Sequence, residues 1–175
     1  MNCIVNVTED WGIGLENRLL VSLSADLRRF RALTSGGTVI LGRKTLLTFP
    51  GGRPLPNRTH LVLSTDCALE IPGAEVLHSL DALAARCAGL EDVWVIGGAS
   101  VYAQLLPYCA QARITRTFLR PRADQFFPDL DALPEWRQTW ASEVLEEQGV
   151  AFQYLDYAQD APRPFRPGAL GGAVL

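Results

Sequence analysis

The chain has 175 residues and a mass of 19.2 kDa, which fits one domain with a sizeable buried core. Hydrophobic residues make up 48% and charged residues 20%, so the composition excludes disorder as the default state. No stretch approaches about 18 consecutive apolar residues, and the N-terminus lacks the basic and apolar regions of a signal peptide. We therefore expect no membrane partner and a cytoplasmic protein.

The formal net charge of −3 conceals an uneven distribution along the chain. Between residues 18 and 58, eight basic residues stand against one acid, Asp26, so this segment carries +7 and the remainder −10. Such a segment in an acidic protein indicates an anionic ligand, although a solvated helix face gives the same run of charge. The four cysteines are widely spaced and form no CxxC pair, so we expect reduced thiols and no metal site.

Buried strands alternate with helical segments in the first half of the chain. Glycines at 12 and 14 break either periodicity and predict a loop, and Ser24 is a plausible N-cap for the first helix. Leu23, Leu27 and Phe30 give that helix an apolar face, and the neighbouring arginines are turned away from it or to its flank. The predicted elements are a strand at 3–7, a loop at 11–14, a helix at 24–33, a strand at 38–41, a helical stretch at 46–49 and a rigid loop at 50–56.

The second half continues this alternation and closes with a hairpin. Its predicted elements are strands at 60–64 and 75–77, a helix at 80–87, a strand at 92–96, a helix at 101–106, a strand at 112–119, and two strands at 136–146 and 151–158. This order predicts an α/β fold, with a mixed, mostly parallel central sheet flanked by helices and an antiparallel C-terminal hairpin. We expect a single domain over residues 1–160 and a flexible tail, rich in proline and glycine, over residues 161–175.

Two buried strands end on glycine just before a predicted helix. One is Val-Ile-Leu-Gly-Arg-Lys-Thr at 39–45, and the other is Val-Trp-Val-Ile-Gly-Gly-Ala-Ser at 93–100. Ligands of open α/β sheets bind beyond the carboxyl ends of strands, where helix N-termini offer free N–H groups to phosphate. Each signal is weak alone, since Gly-Gly after a strand is usually a turn. Together they fit a ligand with two phosphate groups, such as a dinucleotide.

Asp26 is the single acid of the basic segment and lies at the edge of the apolar helix face. An acid in the first turn of a helix is commonly stabilised by the helix dipole alone. A carboxylate in a pocket would instead bind a cationic or N–H-rich heterocycle. The local pattern leaves both interpretations open.

Six short motifs occur in register along the chain: Gly12-Ile13-Gly14; Ala25-Asp26-Leu27 with Phe30; Gly42-Arg43-Lys44-Thr45; Arg53-Pro54-Leu55-Pro56-Asn57-Arg58; Val95-Ile96-Gly97-Gly98 with Val101-Tyr102; and Asp124 with Phe127-Pro128. In order and spacing they resemble dihydrofolate reductase of the bacterial chromosomal type, over about residues 4–157. The resemblance implies NADPH-dependent reduction of 7,8-dihydrofolate to tetrahydrofolate for one-carbon metabolism. It also implies binding of antifolate-type inhibitors.

The resemblance implies roles for single residues around the substrate. Asp26 matches the pocket carboxylate that hydrogen-bonds the pterin and favours protonation of the reducible C=N bond, and Thr115 supports it as a second catalytic residue. Arg58 matches the arginine that pairs with the carboxylate of the glutamate tail. The other residues implied at the substrate are Ile4, Val5, Leu27, Phe30, Phe49, Leu55, Ile96 and Tyr102.

The cofactor site follows from the same resemblance. Arg43 and Thr65 match positions around the 2′-phosphate, Ser64 starts the adenosine side, and Leu19 falls in a mobile loop that closes over the nicotinamide. The Gly97–Gly98 peptide bond is cis in the family. The full implied NADPH set is Asn6, Ile13, Gly14, Leu19, Gly42, Arg43, Lys44, Thr45, Ser64, Thr65, Gly97, Gly98, Ala99, Ser100, Val101 and Tyr102.

Three residues depart from the family pattern. Val21 stands where many members have a tryptophan whose N–H holds an active-site water. Asn6 stands where a small alanine is usual, beside the nicotinamide carboxamide, and we expect the backbone contact there to survive. Ser100 replaces an arginine that some members place near the cofactor phosphates, so we expect reduced but real discrimination against NADH.

Other functions stay open on the sequence. The fold-related pyrimidine reductase of riboflavin synthesis accounts for the cofactor half but not for Asp26 with Phe30, nor for Arg58. A nucleic-acid-binding domain would use the arginine-rich segment and leave the Gly-Gly strand end unexplained, and we expect no nucleic-acid partner. A catalytically inactive folate-binding relative fits the valine at position 21. We expect a monomer.

Overall fold

A nine-stranded β-sheet organises the described part of the chain, residues 1–170 of a computed structural model. The helices are α1 (Ser24–Thr34), α2 (Arg43–Leu46), α3 (Leu80–Cys87) and α4 (Ala99–Leu105), with 3-10 turns at Pro50–Gly52, Leu106–Tyr108 and Leu130–Ala132. The strands are β1 (Asn2–Val7), β2 (Gly12–Leu15), β3 (Arg18–Leu19), β4 (Thr38–Gly42), β5 (Thr59–Leu63), β6 (Glu75–Leu77), β7 (Val93–Gly97), β8 (Gln111–Thr117), β9 (Gln125–Phe126), β10 (Trp136–Ala141), β11 (Leu145–Glu147) and β12 (Val150–Gln159).

The strand order across the main sheet is β10-β12-β8-β1-β7-β4-β5-β6, with β11 also paired to β12. The neighbours from β8 through β1, β7, β4 and β5 to β6 are parallel, whereas β12 runs antiparallel to β8, β10 and β11. A separate antiparallel sheet has the order β3-β2-β9. These pairings confirm the predicted α/β fold with a mostly parallel sheet and an antiparallel C-terminal end.

The central strands are buried on both faces, which explains their continuous apolar runs. Because neighbouring residues of a strand point to opposite faces, Cys3 and Val5 of β1 enter one core while Ile4 between them enters the other. The first core includes the apolar faces of α3 and α4, and the second includes Phe30 of α1 and Leu46 of α2. The sheet is therefore a layer between two helical layers.

Two predictions near the N-terminus are wrong. Residues 11–14 are not a loop, because Gly12–Leu15 forms β2 and pairs with β9, more than 100 residues further along the chain. Ser24 is not an N-cap: the helix begins at Ser24, Leu23 is the cap, and no side chain of the cap bonds the helix. The N–H of Ala25 instead donates to Glu147 Oε2 at 2.9 Å, so a distant carboxylate satisfies the free helix end.

Two further elements differ substantially from the predictions. The short helix after β4 occupies Arg43–Leu46 instead of residues 46–49, because it begins directly at the strand end with Gly42 as its cap. The strand predicted at 136–146 divides into β10 and β11, and both segments pair with the long β12. The helix at 80–87 and the strand at 75–77 have the predicted bounds.

The chain beyond β12 makes several contacts. The Arg163 N–H donates to the Pro107 carbonyl at 2.9 Å, the Phe165 ring lies 5.1 Å from that of Tyr108, and Leu170 joins the first core. These contacts anchor the segment from residue 161 to Leu170, for which the sequence shows few anchoring residues. The rest of the predicted flexible tail, residues 171–175, lies outside the described residues.

None of the helices within residues 1–170 has the length and apolar character needed to cross a membrane. The longest, α1, has 11 residues.

Candidate active site

One cavity of about 790 Å³ lies where β4, β5 and β7 end and α1 crosses β1. Its walls come from β1, α1, α2, the start of α4 and the segment after β5. Every residue that the sequence predicts for the site lines this cavity, with the exception of Thr115. The structure therefore brings together residues from the N-terminal half and the Gly97–Gly98 turn, which are far apart in the chain.

Asp26 sits inside the cavity on the first turn of α1, where the helix passes over β1 and β8. Its Oδ1 accepts a hydrogen bond of 2.6 Å from the Thr115 hydroxyl, and its Oδ2 accepts one of 3.3 Å from Nδ2 of Asn6. Thr115 lies behind the cavity wall and reaches the cavity only through this bond. Each carboxylate oxygen thus has one donor from the protein.

Burial raises the pKa of Asp26 above its ordinary value. The hydrogen bonds from Thr115 and Asn6 and the positive charge of Arg29 act in the opposite direction, because each favours the ionised carboxylate. Burial is the largest of these effects. A carboxyl group with a raised pKa in a cleft is a candidate for proton handling.

The register of the sheet explains why these donors meet. Asn6 of β1 is the partner of Thr115 of β8, and Thr115 is the partner of Tyr154 of β12. The three residues form a row across neighbouring strands beneath α1. Because α1 places the carboxylate of Asp26 over this row, Asn6 and Thr115 can both donate to it.

Arg29, one helical turn after Asp26, holds α1 onto the sheet. It donates to the Ile114 carbonyl at 2.9 Å and to Asp156 Oδ1 at 2.8 Å, and its guanidinium lies 4.4 Å from the centre of the Tyr154 ring. Asp156 also forms an ion pair with Arg113. Arg29 therefore lies to the flank of the apolar face and against the sheet, where the mostly buried Asp156 of β12 pairs with it.

The other end of the cavity carries positive charge. Arg58 is half-buried, where its Nε donates to the Thr34 hydroxyl at 2.8 Å and its guanidinium lies 5.5 Å from the Phe30 ring. Burial lowers the pKa of Arg58, and so does the nearby charge of Arg31. Arg31 is exposed and also lines the cavity, so it lies to the flank of the apolar face, one of the two positions predicted for it. Its position directly after Phe30 is the one sequence signal that could have identified Arg31 as a residue of the cavity.

Arg43, Lys44 and the glycines at the strand ends form the third part of the cavity. Gly42 and Gly98 are the caps of α2 and α4, as expected of the two glycine-ended strands, and the Gly97–Gly98 peptide bond is cis. A Cβ on Gly98 would lie 3.1 Å from the Thr45 hydroxyl, so these glycines permit close approach of the backbone. Arg43 and Lys44 are exposed and form no ion pair among residues 1–170.

This combination of open backbone and free cations fits the phosphates of NADPH. Ser64 and Thr65, which follow β5, add hydroxyl groups at the same edge of the sheet. Ser100 also lines the cavity and brings no charge. The residues present therefore fit the cofactor that the resemblance implies.

Comparison with known proteins decides between the functions left open by the sequence. The family model described as dihydrofolate reductase matches residues 1–159. The chain belongs to the dihydrofolate reductase family. Members of this family are oxidoreductases that reduce dihydrofolate with NADPH and bind antifolate inhibitors, and this chain is an enzyme of that family.

Several curated relatives support the same family. The dihydrofolate reductase of Neisseria gonorrhoeae is 35% identical over 155 residues, which cover 88% of this chain and 94% of that protein. The enzyme of Bacillus subtilis is 34% identical over 142 residues, 81% of this chain and 83% of that protein. The Mycobacterium tuberculosis enzyme is 36% identical over 143 residues, 77% and 83% of the two chains.

A solved structure agrees in fold. Dihydrofolate reductase from Enterococcus faecalis, in complex with NADP(H) and RAB-propyl, superposes with a TM-score of 0.83 and 31% identity. The match covers 91% of this chain and 96% of that one.

Proposed function

We propose that this chain reduces 7,8-dihydrofolate with Asp26 as the group that binds the pterin and manages its proton. The observation that carries this proposal is the half-buried carboxylate of Asp26, held by the Thr115 hydroxyl at 2.6 Å inside the cavity. Ionised, it accepts hydrogen bonds from the pterin's amino group and ring N–H. Burial, which raises its pKa, makes the carboxyl group easier to protonate, and this favours protonation of the reducible C=N bond.

The walls of the cavity support the same assignment. Apolar side chains from β1, α1, the segment after α2 and the end of β7 line the cavity and match the flat face of a pterin ring. Those in the predicted substrate set are Ile4, Val5, Leu27, Phe30, Phe49, Leu55 and Ile96, with Tyr102 bonded through its hydroxyl to the Ile4 carbonyl at 2.7 Å.

The cofactor would occupy the glycine-lined end of the cavity. Arg43 with Thr65 would hold the 2′-phosphate, and Lys44 with Thr45 would lie beside the pyrophosphate. Bound there, NADPH supplies the hydride. Asn6, Ile13, Gly14 and Leu19 line the part of the cavity between this end and Asp26, where the nicotinamide would lie.

Oxidation of NADPH by the purified protein, measured with and without dihydrofolate, tests the reaction. Loss of NADPH that depends on dihydrofolate supports the proposal. Binding of both ligands without turnover would instead identify a catalytically inactive relative, and Val21→Trp would then be the first variant to examine. Val21 lines the cavity and has no side-chain donor.

Cofactor choice gives a quantitative test of the phosphate end. With Ser100 uncharged, Arg43 and Lys44 carry the recognition of the 2′-phosphate, so we expect kcat/KM to favour NADPH over NADH by a reduced but measurable factor. Steady-state kinetics with both cofactors measure that factor. Equal values for the two would contradict the assignment of Arg43.

We also propose that the protein is a cytoplasmic monomer with residues 1–160 as one domain. The four cysteines are free thiols, two of them fully buried, which suits a reducing compartment. Sedimentation of the purified chain tests the oligomeric state, and a mass near twice 19.2 kDa would contradict it.

A further inference from the structure

We propose that Asn6 is a positioning residue for Asp26: its side-chain amide holds the second carboxylate oxygen and favours the ionised carboxylate. The proposal rests on the proposed role of Asp26 in the reduction and assigns to Asn6 a part in setting the pH range of that reaction. The sequence alone assigns to position 6 only a backbone contact with the cofactor.

The geometry comes from the pairing of β1 with β8. Asn6 and Thr115 are register partners, and both side chains point to the face that α1 covers at Asp26. Thr115 donates to Oδ1 at 2.6 Å and Asn6 Nδ2 donates to Oδ2 at 3.3 Å. Two donors on opposite oxygens fix the plane of the carboxylate as well as its position.

The chemistry of an amide makes the effect directional. Nδ2 of asparagine can only donate, so its bond is stronger to a carboxylate than to a neutral carboxyl group. The bond therefore lowers the pKa of Asp26 against the larger effect of burial, which raises it. Val21 offers no donor on its side of the cavity, so within the described residues Asn6 and Thr115 are the side chains that donate to this carboxylate.

The other titratable and charged groups around Asp26 do not donate a hydrogen bond to its second carboxylate oxygen. Arg29, on α1, favours the ionised carboxylate by its charge, but its hydrogen bonds go to Ile114 and Asp156. Tyr102 on α4 and Tyr154 on β12 have pKa values raised mainly by burial, so both are neutral phenols at physiological pH. Glu147 on β11 is engaged by the N–H of Ala25.

The variant Asn6→Ala removes the donor, and Asn6→Leu removes it while keeping the number and branching of the side-chain heavy atoms. Both should raise the pH midpoint of the Asp26 carboxyl by about half a unit to one unit, the size expected for one hydrogen bond to an ionised group. The carboxyl 13C signal of Asp26, assigned by its loss in Asp26→Asn, reports this midpoint in the ligand-free protein. Asn2→Ala is the matched control, because Asn2 lies on the same strand and outside the cavity.

The same variants should move the alkaline limb of hydride transfer to higher pH. Above that limb, single-turnover rates should exceed those of the parent protein by about threefold for a shift of half a unit. An unchanged carboxyl midpoint in both Asn6 variants would overturn the proposal. So would a loss of rate by the same factor at every pH, which is the result expected of a purely structural role.

The two measurements separate this proposal from the proposed function. If the parent protein fails to oxidise NADPH with dihydrofolate, the proposed function is wrong. The titration of Asp26 in the ligand-free protein still decides whether Asn6 acts on the carboxylate.

Discussion

Asp26 combines two demands that conflict at a single residue. The cavity that excludes water from the pterin also removes solvent from the carboxylate, and this raises its pKa. A folded-state pKa above the unfolded value means that Asp26 favours folding below its ordinary pKa. That contribution is lost as the pH rises through the raised value. Once ionised, the carboxylate therefore opposes folding.

Asp26→Asn separates these two effects. We expect turnover to fall by about 10²-fold or more, because the proton-managing group is lost. We also expect the melting temperature at neutral pH to rise above that of the parent, with a smaller difference in acid, where the parent carboxyl is protonated. Steady-state kinetics and calorimetry at the two pH values measure both. A variant less stable than the parent at neutral pH would contradict the account of burial.

Arg58 makes a second prediction at the scale of one residue. Arg58→Ala should weaken binding of dihydrofolate by about 10- to 100-fold, the value of a charge-assisted pair with the glutamate tail. Binding of a pterin without the tail should change little. Arg53→Ala is the matched control, since Arg53 belongs to the same loop and does not line the cavity. If both ligands weakened equally, Arg58 would not be the tail site.

At the scale of elements, one ion-pair cluster fixes α1 to the C-terminal strands. Asp156 of β12 binds Arg29 of α1 and Arg113 of β8, and the carboxylate side chain is only 17% exposed. Loss of this acid would leave Arg29 without its ion-pair partner in a half-buried setting. Asp26 lies on the same helix, one turn before Arg29, so the ion pair that holds α1 also fixes the position of Asp26.

Asp156→Asn should lower the free energy of unfolding by about 2 kcal/mol, since removing one partner of a shielded pair costs more than the pair itself contributes. Denaturant unfolding measures this change. Asp160→Asn serves as control, because its pair with Arg137 is 3.6 Å long and more than half exposed, and it should change stability by less than about 0.5 kcal/mol. Equal effects of the two variants would contradict the prediction.

For the whole molecule, the C-terminal segment is coupled to stability and separate from the site. Phe165 and Leu170 pack on Tyr108 and the first core, and none of these residues lines the cavity. The double variant Phe165→Ala, Leu170→Ala should lower the free energy of unfolding by about 2 kcal/mol or more. Its kcat with dihydrofolate should remain that of the parent. Unchanged stability would show that the segment is a free tail.

Charge distribution is also a property of the whole molecule. The basic segment at 18–58 supplies Arg18, Arg31, Arg43, Lys44 and Arg58 to one cavity, and the one acid among the residues that line it is Asp26. The segment includes α1, the end of β4 and the start of α2, which the parallel sheet brings to one edge. An acidic protein thus presents a positive cavity to anionic ligands.

Much of the fold and of the cavity is predictable from local signals. The buried strands and the two glycines that start α2 and α4 follow from apolar runs and from glycine at a strand end, because both depend on neighbouring residues alone. Every residue that the motifs predict for the site, except Thr115, then lines the cavity, whereas others that line it, such as Arg31 and Gln104, are not predicted.

Contacts between distant segments could be identified only from the tertiary structure. The pairing of β2 with β9, the cap of α1 by Glu147 and the bond from Arg29 to Asp156 each join residues more than 100 positions apart. Asn6 and Thr115 meet at Asp26 only because of the register between β1 and β8. No local periodicity encodes such a register. The sequence by itself therefore determined the strands, the glycine-ended turns and most of the site residues, and the packing of strands decided which side chains donate to the carboxylate.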